Sequence, residues 1–276
     1  MTRRRSTPDL PDAALPRRAP ARRRAPQAAP ADVAPADTAP PKPPRQKPAK
    51  PAKAPPEPQA PLPLAFGSTP RIIVGIDPGA TGAAVILHCG TSGPPLLIAA
   101  IYWVERKRTS GTVYEPTAWP ADVRARTPAS LYGLGVTLAA EALVAASDHW
   151  VEKALPIYGA CERQYSGRFA SAGLGVAWLA GLVSGPLTDI VTKPIGRPAP
   201  SEWRATAAPH ASQRRKRSVH NDIKPCPAAM GAQLAGGWPL DLLARFGLPI
   251  GSSGADLPVD LGEALGVALW AAEKTA

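Results

Sequence analysis

Cysteine is scarce in this sequence. Cys89, Cys161 and Cys226 are the only three, and no pair has Cys-x-x-Cys spacing. That argues against a cysteine-ligated zinc site and against a disulfide framework, and a reducing cytoplasm is the simplest compartment. Long apolar runs are missing as well. The stretch LGVAWLAGLVSGPL is short and interrupted by glycine and proline, so no membrane-spanning segment is expected. No continuous apolar run follows the N-terminal arginines, which speaks against a secretory signal, and the prolines there oppose the amphipathic helix of a transit peptide. Acidic residues are outnumbered: 21 Asp and Glu stand against 32 Lys and Arg, a formal charge of +11 over 276 residues. Such an excess points to an anionic partner, nucleic acid first.

The excess is uneven. Residues 1–68 hold 13 Lys and Arg but 5 Asp and Glu, a net of +8, leaving +3 for the remainder. This first segment is mostly Pro, Ala, Arg and Lys, almost without aromatics and without apolar periodicity. Such a chain does not bury enough surface to offset its ordering entropy. It is expected to be a disordered tail with polyproline-II character. Attraction to phosphates, a solvated linker, and a translation start placed too far upstream are all open for it. Residues 69–276 are expected to form the ordered domain.

Within that domain Arg71 to Ile76 reads as a first strand and Ala83 to Cys89 as a second, joined by a turn short enough for an antiparallel hairpin. Pro95 to Glu105 reads as a third strand, and the polar residues 106–127 as a loop or insertion. Pro128 to Ser147 has helical spacing. ALPIYGACERQ supplies a fourth strand with Glu162 at its end, GRFASAGLGVAWLAGLV a helix, and TDIVTKPIG a fifth strand ending at Lys193–Pro194. PSEWRATAAPHASQRRKRSVHNDIK reads as helical and basic, followed by a short helix over PLDLLARFG. The last helix runs from Leu257 to Lys274, with Pro258 in its first turn and Asp256 as its cap. This order describes an α/β layer fold around one mixed five-stranded sheet.

Acids stand where elements end. Asp77 closes the first strand, and Pro78 keeps it in extended geometry up to the carboxylate. Desolvating a carboxylate there is costly unless it caps a turn or holds a positive charge. Glu162 closes the fourth strand. Asp260 and Glu263, three apart, share one face of the last helix at the border of the stripe Leu261, Ala264, Leu265 and Ala268. Each has a plain alternative: a turn, a solvated strand end, a helix dipole. Four clustered carboxylates would repel one another and shift toward protonation. Divalent cations remove that penalty, and all-oxygen ligands favour Mg²⁺ or Mn²⁺ over zinc. Two such ions, about 4 Å apart, suit phosphodiester hydrolysis.

Together the motifs GIDPGATGAAV, ACERQY, GLGVAWLAGL, VTKPIGRPAPSEWR and DLGEALGVALWA resemble, in order, those of RuvC-type Holliday junction resolvases of the RNase H-like superfamily. The PSEWR and SQRRKRS stretches followed by CPAAM look closest to the bacteriophage-type branch. The resemblance covers roughly Arg71 to Lys274. It implies an RNase H-like fold with a five-stranded sheet, a homodimer, two Mg²⁺ ions replaceable by Mn²⁺, and paired nicks in branched double-stranded DNA at four-way junctions, in the cytoplasm near the nucleoid. By position Asp77, Glu162, Asp260 and Glu263 would be the metal ligands, although the family's last acid is commonly aspartate. A family lysine near the scissile phosphate corresponds to Lys193 or Lys216. Arg163, Arg214, Arg215, Lys216 and Arg217 would contact DNA, the alternative being a solvated charged helix. The insertion with Trp119, Arg124 and Arg126 is either a substrate-contacting loop or a plain surface insertion.

Three rivals remain at this level. One keeps the fold but cuts flaps, forks or RNA–DNA hybrids. Another is an actin- or sugar-kinase-like ATPase, whose GIDxGxT loop resembles GIDPGAT. It needs two such domains where about 200 ordered residues supply one, so no nucleotide cofactor is expected. The third is a catalytically silent DNA-binding module.

Overall fold

A computed structural model of the chain describes residues 69–109, 111–123, 130–147, 154–163, 170–207, 213–215 and 223–276. Strand β1, Arg71–Asp77, is buried along its whole length. It pairs antiparallel with β2, Thr81–Cys89, through a hairpin that sets Asp77 against Ala83. β2 pairs antiparallel with β3, Leu96–Arg108, and β3 with β4, Gly111–Trp119. On the other side β1 pairs parallel with β5, Ile157–Cys161. The order is β4-β3-β2-β1-β5, an α/β arrangement with one mixed five-stranded sheet flanked by helices, as the sequence leads one to expect.

Alternation along β1 divides the core. Ile72, Val74 and Ile76 join the cluster under α1, Leu131–Ser147, and α2, Ala170–Ser184. Ile73 lies in the opposite cluster, under α6, Val259–Lys274, with α3, Pro200–Ala207, α4, Pro227–Gly231, and α5, Leu240–Arg245. Ile72, Ile73, Val74 and Ile76 are fully buried, and each such side chain contributes roughly 1.5–3 kcal/mol.

Two features press α6 onto β1. A Cβ at Gly75 would sit against the Ala264 carbonyl and within 2.6 Å of the Ala268 Cβ, so only glycine lets the helix come this close. At the other end, the buried Arg71 donates from Nη2 to the Ala272 carbonyl at 2.8 Å, a cation on the last turn of a helix where the dipole favours it. Clamped in this way, α6 runs antiparallel to β1 and brings its first turns to the strand's last residue.

Four expectations change. Residues 106–119 are not a loop: β3 continues to Arg108 and turns at Gly111, with φ of 124°, into β4. This arm is held by its continuous ladder to β3 and by the buried Tyr114; the exposed pairs of Arg106 at 3.1 Å and Arg108 at 3.3 Å from Glu115 add little. The fifth strand of the sheet is therefore β4, and TDIVTKPIG is not a strand. Thr192 donates to Ile157 O and Gly196 to Gly159 O, each at 2.8 Å. Between them Pro194 has no N–H to give, and one parallel bridge, Ala160 with Gly196, remains. The basic helix ends at Ala207, two residues before Pro209, and Gln213–Arg215 pairs with Ile223–Pro225 as the two-stranded β6–β7 sheet. Pro258 is the N-cap of α6 rather than part of its first turn. No side chain caps it, and Asp256 is exposed. Residues 1–68, Arg124, Arg126, Lys216 and Arg217 lie outside the described residues. Among the described residues no helix is long and apolar enough to cross a membrane.

Candidate metal centre

Register alone brings the first two acids together. Gly75 is paired with Ala160 and Ile76 with Cys161 on adjacent parallel strands, and Glu162 N donates to Ile76 O at 2.9 Å. One step on, Asp77 and Glu162 are neighbours. Side chains alternate along a strand, so Asp77 shares its face with Ile73 and Glu162 with Ala160, both in the cluster under α6. The first turns of α6 supply Asp260 and Glu263.

Asp77, Asp260 and Glu263 each offer a carboxylate oxygen within 4.8 Å of the others. Asp77, Glu162 and Glu263 are buried and Asp260 half-buried. Burial raises Asp77 well above the usual carboxylate range, and the charges of Glu263, Glu162 and Asp260 push it further. Glu162 is raised by burial and by Glu263, while its hydrogen bond with Asp77 and the Arg204 guanidinium act the other way. Both carboxyls are thus pushed toward protonation by burial and by the crowding of like charge. A site that takes up a proton to relieve its own repulsion is one a cation would relieve better. With only oxygen donors, it fits a hard divalent ion such as Mg²⁺ or Mn²⁺.

Sequence reasoning missed the cation already present. Arg204, on α3, donates from Nη2 to Glu263 Oε1 at 2.9 Å, and its guanidinium lies 5.0 Å from the Trp203 ring centroid. Trp203 is fully buried under α6, its ring occupying the place a side chain at Gly266 would take. Its indole N–H is close enough to favour the charged form of Glu162 but makes no well-formed hydrogen bond. The signal was at hand in PSEWR, where an arginine follows a core tryptophan. Nothing in the sequence tied it to an acid 59 residues away.

The structure gathers Asp77, Glu162, Asp260 and Glu263. It sets Lys193 elsewhere, over the Tyr158 ring at 5.8 Å from the centroid, four residues before Glu162. Arg163 is exposed directly after Glu162, and its N–H bonds Pro198 O at 2.8 Å. Arg214 and Arg215 are in β6.

No protein-family model and no curated protein matches the chain. Among solved structures, it is similar to T. thermophilus RuvC in complex with Holliday junction substrate, at 15% identity over 74% of this chain and 94% of that one, with a TM-score of 0.36. It is similar also to a Thermus thermophilus RuvC structure, at 16% identity over the same shares, with a TM-score of 0.27.

Proposed function

We propose that this chain is a RuvC-type, RNase H-like endodeoxyribonuclease, nearest the bacteriophage-type branch, that resolves four-way DNA junctions by paired phosphodiester hydrolysis. The observation that carries the proposal is the meeting of four carboxylates from β1, the end of β5 and the start of α6 at one partly open place. Asp77, Glu162, Asp260 and Glu263 would hold two Mg²⁺ ions, and Mn²⁺ would substitute. When bound, such ions supply water activation and stabilisation of the leaving oxygen.

The chain's own residues do the rest. Gly75 and Arg71 fix α6 so that the acids meet. Arg204 holds Glu263 in place and presents a cation beside the reacting phosphate. Trp203 closes the floor against water. Arg163, the β6–β7 arginines Arg214 and Arg215, and Lys216 and Arg217 contact the phosphate backbone, with Lys216 the remaining candidate for the assisting lysine. A homodimer places two such sites on one branched substrate, in the cytoplasm at the nucleoid.

Incubating the protein with labelled four-way junctions, flaps and RNA–DNA hybrids, with and without Mg²⁺, tests this. Symmetric paired nicks in the junction that vanish in EDTA are expected. Preferential cutting of the hybrid or the flap would overturn the junction assignment, and no cutting with any divalent ion would overturn the nuclease.

A further inference from the structure

Where Pro194 breaks the pairing with β5, the chain bulges. Two residues of β5, from Ile157 to Gly159, are spanned by four of the facing segment, from Thr192 to Gly196. The bulge leaves a cavity of about 480 Å³ lined by Thr188, Thr192, Lys193 and Arg197, with Val191 and Ile195 among its apolar walls. Its chemistry is that of an anion site: two cations, the Thr192 hydroxyl and no carboxylate, the Thr188 hydroxyl donating to Gly185 O at 2.6 Å. Both cations are exposed yet positioned, Lys193 over Tyr158 and Arg197 by donating from Nη2 to Ser184 Oγ at 2.9 Å. Among the described residues neither forms an ion pair with Asp or Glu.

The cavity is joined to the acid cluster by the backbone on both sides of Arg197. Gly196 O accepts from Cys161 N at 2.9 Å, and Pro198 O accepts from Arg163 N at 2.8 Å. Lys193, Arg197 and Arg163 therefore follow one another along the segment that borders β5, in the order that leads to Glu162. From Tyr158 to Glu162 is four residues, about 13 Å of strand. Phosphates of one DNA strand wind about the duplex as they rise about 3.4 Å per step along its axis, so successive ones lie roughly twice that far apart, and about 13 Å spans about two nucleotides.

We infer that the Thr188, Thr192, Lys193 and Arg197 cavity is a second phosphate site, which grips the sugar–phosphate backbone about two nucleotides from the phosphate at the acids and sets the strand's direction across β5. It rests on the proposed DNA-cleaving function. The chemistry is a phosphodiester held by a guanidinium, an ammonium and the Thr192 hydroxyl, with Val191 and Ile195 against the sugar.

The test uses the full chain and the Lys193→Gln/Arg197→Gln variant, titrated in EDTA with a fluorescent four-way junction over a range of salt. The variant is expected to lose about 1.8 from the slope of log affinity against log salt, two contacts at about 0.9 each, and Lys193→Gln alone about 0.9. A junction carrying one neutral methylphosphonate about two nucleotides from the nick should bind the wild type more weakly and leave the variant's affinity unchanged. An unchanged slope overturns the inference, and so does a methylphosphonate that weakens both proteins alike. Inorganic phosphate that moves the Thr192 and Gly196 amide signals while the DNA slope stays at the wild-type value also overturns it, as a free-phosphate site only. If the slope changes equally on plain duplex and the wild type has no junction preference, the cavity stands and the junction assignment falls. A wild type that binds no DNA removes both.

Discussion

Asp77→Asn should make the metal-free protein more stable while removing its activity. Asp77 shares its site with three other acids, two of them with oxygens within 4.8 Å of its own. At that distance two like charges repel by about 3.5 kcal/mol at an effective dielectric constant of 20. Burial and this repulsion hold the Asp77 carboxyl well above its usual range, so folding at high pH works against them. Asparagine keeps the shape without the charge and offers an amide N–H to Glu162. The expected gain at pH 8 in EDTA is about 1–3 kcal/mol, or roughly 3–10 °C in Tm for a domain of this size. Lowering the pH toward 4 protonates Asp77 in the unfolded chain as well, so folding no longer has to take up a proton and the two melting curves should converge there. In Mg²⁺ the same variant should nick a four-way junction more than about 100-fold more slowly, since even partners that only orient metal ligands are worth 10–100-fold. Calorimetry in EDTA and a nicking assay in Mg²⁺ make up the test. A variant that melts several degrees below wild type at pH 8, or nicks at the wild-type rate, refutes the reasoning: the first denies the repulsion, the second the site.

Three further outcomes follow from the same geometry. Asp77 and Glu162 are both raised, so between the ordinary carboxylate range near 4 and their folded values the unfolded chain has released protons that the native one retains. Metal-free stability should therefore fall as pH rises through that window, and Mn²⁺ should flatten the curve. Urea midpoints from pH 4.5 to 8 with and without the ion check this. Arg204→Met leaves the buried Glu263 without its 2.9 Å partner. It should cost about 1–3 kcal/mol without metal, and Mg²⁺ should restore more stability in the variant than it adds to wild type. Gly75→Ala drives a methyl into the Ala264 carbonyl and Ala268, so α6 must lift, with a loss of about 1–3 kcal/mol or more and of nicking together. An alanine variant with wild-type Tm would mean the helix is not pressed on β1.

What the sequence made legible was local. The alternation of RIIVGID and AAVILHC, with a short turn between them, fixes the β1–β2 hairpin. The stripe Leu261, Ala264, Leu265 and Ala268 fixes the face of α6. The four acids are legible because each stands where an apolar pattern stops. Elements and contacts whose energy comes from partners far along the chain were hidden. β4 is held by its ladder to β3, and a polar strand of that kind has the composition of a loop. The segment from Thr188 to Gly196 has strand composition, yet one missing donor at Pro194 turns it into a bulge. Arg204 belongs to the site through the packing of α3 on α6, and helical spacing within α3 does not carry that information.

GIDPGAT serves equally well as the start of a nuclease strand pair and as the phosphate loop of an ATPase, and the structure discriminates through the turn's own neighbours. A phosphate-cradling turn keeps its glycines free so that backbone N–H groups can surround the anion. Here the turn is packed from within. Trp103 donates from Nε1 to Gly79 O at 3.1 Å, and its ring edge would lie 2.6 Å from a Cβ at Gly82. Ala80 O accepts from Glu105 N at 2.7 Å. The glycines accommodate a fully buried tryptophan, and the turn's Gly79 and Ala80 carbonyls are bonded to β3. Asp77 just before it then faces three other carboxylates rather than a triphosphate, and four negative side chains repel an anionic nucleotide for the same reason that they draw in cations. That opposition in sign makes a metal-dependent nuclease the better account of the same seven residues.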